Sequence, residues 1–188
     1  MSFAERRRFL WILFLLGLAL LAAAANATTL ARMSFEDLAR QATAIARVRC
    51  VGAVSKWQDG EIWTETRFQV VEQSKASLPG MVTVRMIGGT VGHLISRVES
   101  VPAFHAGEEA YVFLWAREGE PYRVLGWSQG TFRIARDKRT GSETVTQDSA
   151  GASVFDPRTK QFQRGGVRKL PVQAFQLKLR KALQRETP

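Results

Sequence analysis

The chain has one cysteine, Cys50, and two histidines, His93 and His105, among 188 residues. A lone thiol excludes an intramolecular disulfide, so packing alone must stabilise the fold. Cys50 lies in a strand-like stretch with small and apolar residues at two-residue spacing, where a buried, inert thiol is expected. Strong zinc signatures place their ligands in close pairs, whereas these three residues stand far apart, and no metal or cofactor is expected. Internal repeats, low-complexity tracts and blocks of five like charges are also missing. The last absence bears on the net charge of +10: without a charge block, a solvated basic surface is its plainer reading.

What is present begins with MSFAERRR, then an uncharged run from Phe9 to Ala25, then Ala25-Asn26-Ala27. Basic head, apolar middle and A-x-A make a secretory signal, residues 1–27, with cleavage between Ala27 and Thr28. The alternative is a retained N-terminal anchor, since the apolar run approaches the roughly 20 residues that span a bilayer. The A-x-A favours cleavage. Residues 28–188 then form a single domain with no transmembrane span, exported to the periplasm or secreted. Glu5 and Arg6 to Arg8 leave with the signal, so the mature charge is +8. Lipid head groups and anionic envelope polymers are its natural counterparts outside the cytoplasm, where little nucleic acid is met. Cys50 is too far from the cleavage point to be lipidated.

Hydropathy patterning predicts a mainly β domain. Ser34 followed by Phe35-Glu36-Asp37 predicts an N-capped helix to about Gln41. Period-two alternation predicts strands over 44–55, 61–72 and 81–87, three consecutive strands making an antiparallel meander, with Gly52 a candidate bulge. On the second strand Ile62, Thr64, Thr66, Phe68 and Val70 share a face. Residues 88–104 lack periodicity, and a connection that long is often functional or a cover. The run Ala110–Trp115 is apolar throughout and bounded by turn residues, which predicts a central strand buried on both faces. Strands follow over 122–127, 131–136 and 142–147, where the β pattern ends apart from one hairpin signal at 156–159. Pro171, then Val172, Phe175, Leu179, Ala182 and Leu183 at three- and four-residue steps, predict an amphipathic helix over about 171–184, packed on the domain, with membrane-surface binding as the lesser reading.

The order of these elements carries a resemblance. Val48 to Gly52, Ile62 to Val70, Gly88 to Gly92, Phe104 to Glu109, Phe113-Leu114 and Gln129-Gly130 resemble a group of uncharacterised bacterial exported proteins. The stretch Ala44–Trp115 also resembles the netrin-like class of small OB-fold barrels, which includes the tissue inhibitors of metalloproteinases. The resemblance implies a small antiparallel OB-like barrel. Those inhibitors place an N-terminal cysteine on zinc and staple the barrel with disulfides, and this chain has neither feature, so their mechanism does not carry over.

Catalytic patterns fare poorly. Gly126-Trp127-Ser128-Gln129-Gly130 matches the G-x-S-x-G elbow of serine hydrolases, but that elbow needs a following helix and a downstream histidine, and both histidines precede Ser128. Glu108 and Glu109 are adjacent, so they cannot share one face as an acid and base pair. Trp57, Trp63, Trp115 and Trp127 interleave with Arg47, Arg49, Arg67 and Arg123, which is read as core and rim aromatics rather than a nucleic-acid platform. No enzyme is expected. The expected function is a non-catalytic binding or accessory protein of the cell envelope, with an exported protein such as a protease as partner. Binding of anionic glycan or lipid through the basic surface is the alternative, and a hydrolase using Ser128 is the remote one. Partner binding is assigned to Gly88, Gly89, Thr90, Gly92, His93 and Arg97.

Overall fold

The computed structural model describes residues 31–184. Ser34 caps helix α1 (Phe35–Gln41), its Oγ accepting from the Asp37 N–H at 3.0 Å. Strands β1 (Ala44–Gln58) and β2 (Glu61–Lys75) form a long hairpin turning at Asp59-Gly60, and β3 (Met81–Ile87) pairs antiparallel with β2. The expected meander is observed, with a register shift at Cys50/Gly52 where the bulge is expected. A small hairpin, β4 (Gly89–Val91) and β5 (Leu94–Ser96), precedes β6 (Glu109–Trp115) and the two-residue β7 (Arg123–Val124). After a 3-10 turn at Trp127–Gly130 come β8 (Thr131–Arg136) and β9 (Glu143–Gln147). The chain continues through hairpin β10 (Ser153–Asp156) and β11 (Gln161–Arg164), then β12 (Leu170–Pro171) and helix α2 (Val172–Gln184).

The main sheet runs β12-β9-β8-β6-β1-β2-β3, with β7 also on β6. β3 comes back toward β7 through a bridge between Val84 and Tyr122, where the Arg85 N–H donates to the Tyr122 carbonyl at 2.8 Å. The paired strands β6-β1-β2-β3 therefore form an incomplete ring around one core, joined back toward β6 by this single bridge beside β7. The ring interior takes alternate residues of each strand: Ala46 and Val48, Phe68, Val82 and Val84, then Ala110, Val112 and Leu114. The opposite face of β6, with Ile45, Phe132 and Val145, packs beneath α1 and α2. Tyr111 and Phe113 of β6 meet Phe175 and Phe132 there with ring centroids 4.8 and 5.0 Å apart. The central strand is thus buried on both faces, as its unbroken apolar run requires.

Three expectations are corrected. Residues 122–127 are not a full strand, because Gly126 and Trp127 both take positive φ and turn the chain. The β pattern does not end at 147, since β10, β11 and β12 follow; the expected hairpin is β10–β11. Pro171 closes β12 rather than opening α2, which starts at Val172. The expected cleavage site lies outside the described residues, among which no helix is long and apolar enough to cross a membrane.

Candidate functional site

Residues 88–106 divide into a flap and a plug. The flap is the β4–β5 hairpin, laid across one end of the ring against β1 and β2. Hydroxyls and backbone hold it there. The Thr90 N–H donates to Ser55 Oγ at 3.3 Å, Ser55 Oγ lies 2.8 Å from Thr64 Oγ1, and Thr64 Oγ1 donates to the Gly88 carbonyl at 2.6 Å. Because the single Thr64 hydroxyl proton goes to Gly88, Ser55 supplies the proton between the two side chains. Gly88 also donates its N–H to the Ile62 carbonyl at 2.7 Å. A Cβ on Gly89 would fall 2.3 Å from both hydroxyl oxygens, and φ there is +134°. Only glycine lets the chain cross this closely. The crossing and the cover are one feature.

The plug, residues 98–106, seals the ring from the side. Phe104 stands edge-on to Phe68 at 4.9 Å, and the Arg133 guanidinium stacks over its outer face at 4.6 Å. Arg133 also donates to the Ala103 carbonyl, Glu108 and Asp148, so one side chain ties the plug to β8. Burial raises the Asp148 pKa, and Arg133 opposes the shift. At Glu108 burial works in the same direction, but hydrogen bonds from His105 and the charge of Arg133 outweigh it, and the pKa is lowered.

Flap and plug border an open cavity of about 590 Å³. Its floor is Ala53, Thr64, Thr66 and Met86; its cover includes Gly88, Gly89, Thr90, Ile95 and Arg97; Val101 and Phe104 form the plug side. Thr66 is only 1% exposed, and among the described residues its Oγ1 is a buried hydroxyl without a hydrogen-bond partner. Above the cavity, Leu94 and Ile95 are 58% and 64% exposed. The structure therefore brings Gly88, Gly89, Thr90 and Arg97 to the cavity, while Gly92 and His93 form the exposed two-residue flap turn, Gly92 with φ +58°. Sequence reasoning missed Ser55, Thr66, Leu94 and Ile95. Threonines on the otherwise apolar inward face of β2 were the available signal.

The remaining motifs resolve into structure. Ser128 is buried in the 3-10 turn and followed by strand β8, so the strand-serine-helix elbow is not formed. Its neighbour Gln129 clips the N-terminal strap, Oε1 accepting from the Met33 N–H and Nε2 donating to the Ala31 carbonyl, both at 2.8 Å. Gly130 admits no side chain, since a Cβ would lie 2.0 Å from the Leu125 carbonyl oxygen. The two glutamates part as expected: Glu109 receives Arg47 and Arg49, while Glu108 meets Arg133 and His105. Burial raises the Cys50 thiol pKa, which disfavours the reactive thiolate. Among the described residues no three His, Cys, Asp or Glu side chains are grouped to hold a metal. Trp57 is exposed rather than core, and Trp63 carries Arg85 and Arg123 at 4.5 and 5.7 Å from its ring. Set against known proteins, the chain matches no family model, no curated protein and no solved structure. The netrin-like resemblance therefore rests on the residues that carry it.

Proposed function

We propose that this is an exported, non-catalytic binding protein of the cell envelope, whose partner site is the flap and the cavity beneath it. The observation that carries the reading is the pair of exposed aliphatic side chains, Leu94 and Ile95, on a flap that borders a concave, mostly apolar pocket. An apolar surface patch beside a concave, mostly apolar site suits a protein partner that inserts an apolar side chain. An exported protein such as a protease is the partner class proposed, through a contact unlike that of the metalloproteinase inhibitors. Arg97 at the rim adds a charge for an acidic group on the partner.

Capture from an envelope extract at low and high salt tests this. Binding through the flap should persist at high salt, because its apolar contacts are not screened. Leu94→Asp with Ile95→Asp should abolish it, and His93→Ala with Arg97→Ala should weaken it, each leaving the melting temperature nearly unchanged, as exposed-loop changes do. Thr66→Val should leave capture unchanged and stability equal or higher, because it deletes a buried hydroxyl that no group satisfies. Capture unaffected by both flap variants would overturn the assignment.

A further inference from the structure

We infer that hairpin β10–β11, residues 165–169 and the outer side of α2 form a second surface, independent of the flap, that docks on an anionic lipid bilayer. The net charge is segregated along the chain. Residues 28–156 hold fifteen Lys/Arg and fifteen Asp/Glu, whereas residues 157–184 hold eight Lys/Arg and no acid. No run of five like charges marks this segment, so a search for charge blocks passes over it. The whole excess of the mature chain nevertheless sits there.

Pairing sharpens the contrast. On the sheet, Arg47, Arg49, Arg133 and Arg136 are each held by carboxylates. Among the eight cations of residues 157–184, Lys178 pairs with Glu36 at 3.7 Å and Arg158 lies beside Asp156, whose carboxylate accepts from the Arg158 N–H; no ion pair within 4 Å joins the other six to a carboxylate of the described residues. The seven other than Lys178 are exposed. Apolar side chains stand among them: Phe162 on β11 is 63% exposed and Leu177 on α2 is 48% exposed. Cations flanking exposed aromatic and aliphatic groups suit a charged interface with an apolar phase behind it, which a bilayer offers and a soluble polysaccharide does not.

The path of the chain supports the same side. The N-terminal strap runs between the hairpin and the helix: the Arg32 N–H donates to the Phe155 carbonyl at 2.7 Å, Arg32 Nη1 donates to Gln163 of β11, and Arg32 lines one pocket with Lys178 of α2. The chain therefore enters the domain at the basic face. The uncharged run Phe9–Ala25 precedes that point in sequence.

The test uses the chain from Thr28 to Pro188, since both apolar cores lie wholly within residues 38–182. It is floated with phosphatidylcholine vesicles with and without phosphatidylglycerol. Binding is expected only with the anionic lipid and should fall as salt rises. The variant Lys160→Glu/Lys169→Glu/Arg180→Glu/Lys181→Glu should lose about tenfold or more in binding, given the contribution of each cation near an anionic surface. The corresponding glutamine variant keeps the test available should the reversal not fold. Phe162→Ser with Leu177→Gln should retain the low-salt binding and lose what persists at high salt. Equal binding to neutral vesicles, or full binding by the charge variants, would overturn the proposal. So would high-salt vesicle binding unaltered by the apolar pair and displaced by dextran sulfate, which would assign the face to a soluble polyanion.

Discussion

Phe113 and Leu114 are neighbours on β6 that serve different cores. Leu114 fills the ring with Val48 and Val84, and Phe113 lies under the helices against Phe35 at 5.7 Å and Phe132 at 5.0 Å. Both are fully buried, and with a single cysteine no disulfide offsets a loss of packing. Phe113→Ala should cost about 3–5 kcal/mol, enough to unfold much of a domain of ordinary stability. Thermal denaturation checks this, and a fall in melting temperature of only a degree or two would contradict the burial. The sequence made this residue legible because six apolar residues in a row leave no solvent face. It did not reveal Thr66: an inward threonine on an alternating strand looks like any other, and its missing partner shows only when the surrounding strands are in place.

At the level of elements, legibility followed length. β1, β2, β3 and β6 are long enough for alternation to stand out, and Ser34 with its following acids marked α1 to the residue. The three-residue strands of the flap are too short to show a period, so residues 88–104 read as a loop although they pair Gly89 with Ser96. Residues 122–127 looked like a strand from composition; the left-handed Gly126 and Trp127 that stop it are not visible in a propensity pattern. β1, β6, β8 and β9 are also joined by charge. Glu143 of β9 receives Arg47 of β1 and Arg136 of β8, and Glu109 of β6 receives Arg47 and Arg49. Hydrogen bonds from Arg47 and then Arg136 depress the Glu143 pKa from 4.5 to about 2. A carboxylate with a depressed folded pKa contributes stability that is present above its unfolded pKa and lost as pH falls through its folded value. The wild-type domain should therefore lose stability between about pH 4.5 and 2. Glu143→Gln should be less stable at neutral pH and lose less over that window. Denaturant melts at several pH values check this, and parallel curves for the two proteins would show that the network does not couple to acid.

Over the whole molecule, two surfaces divide the proposed work. One end of the ring carries the flap with its aliphatic pair, and the N-terminal strap enters beside a segment that holds the entire net charge of residues 31–184. The composition showed the excess of cations but not its location, because steps of one to nine residues between them leave no run of one sign. Partner binding through the flap is the central claim, and site-directed photo-crosslinking tests it most directly. A photoreactive amino acid at Ile95, and another at Lys138 in the β8–β9 turn as a control, would be irradiated in the exported protein within the intact envelope. A discrete protein adduct is expected from position 95, reduced in the His93→Ala/Arg97→Ala background, with none from position 138. No adduct at 95, or the same adducts from both positions, would contradict the account.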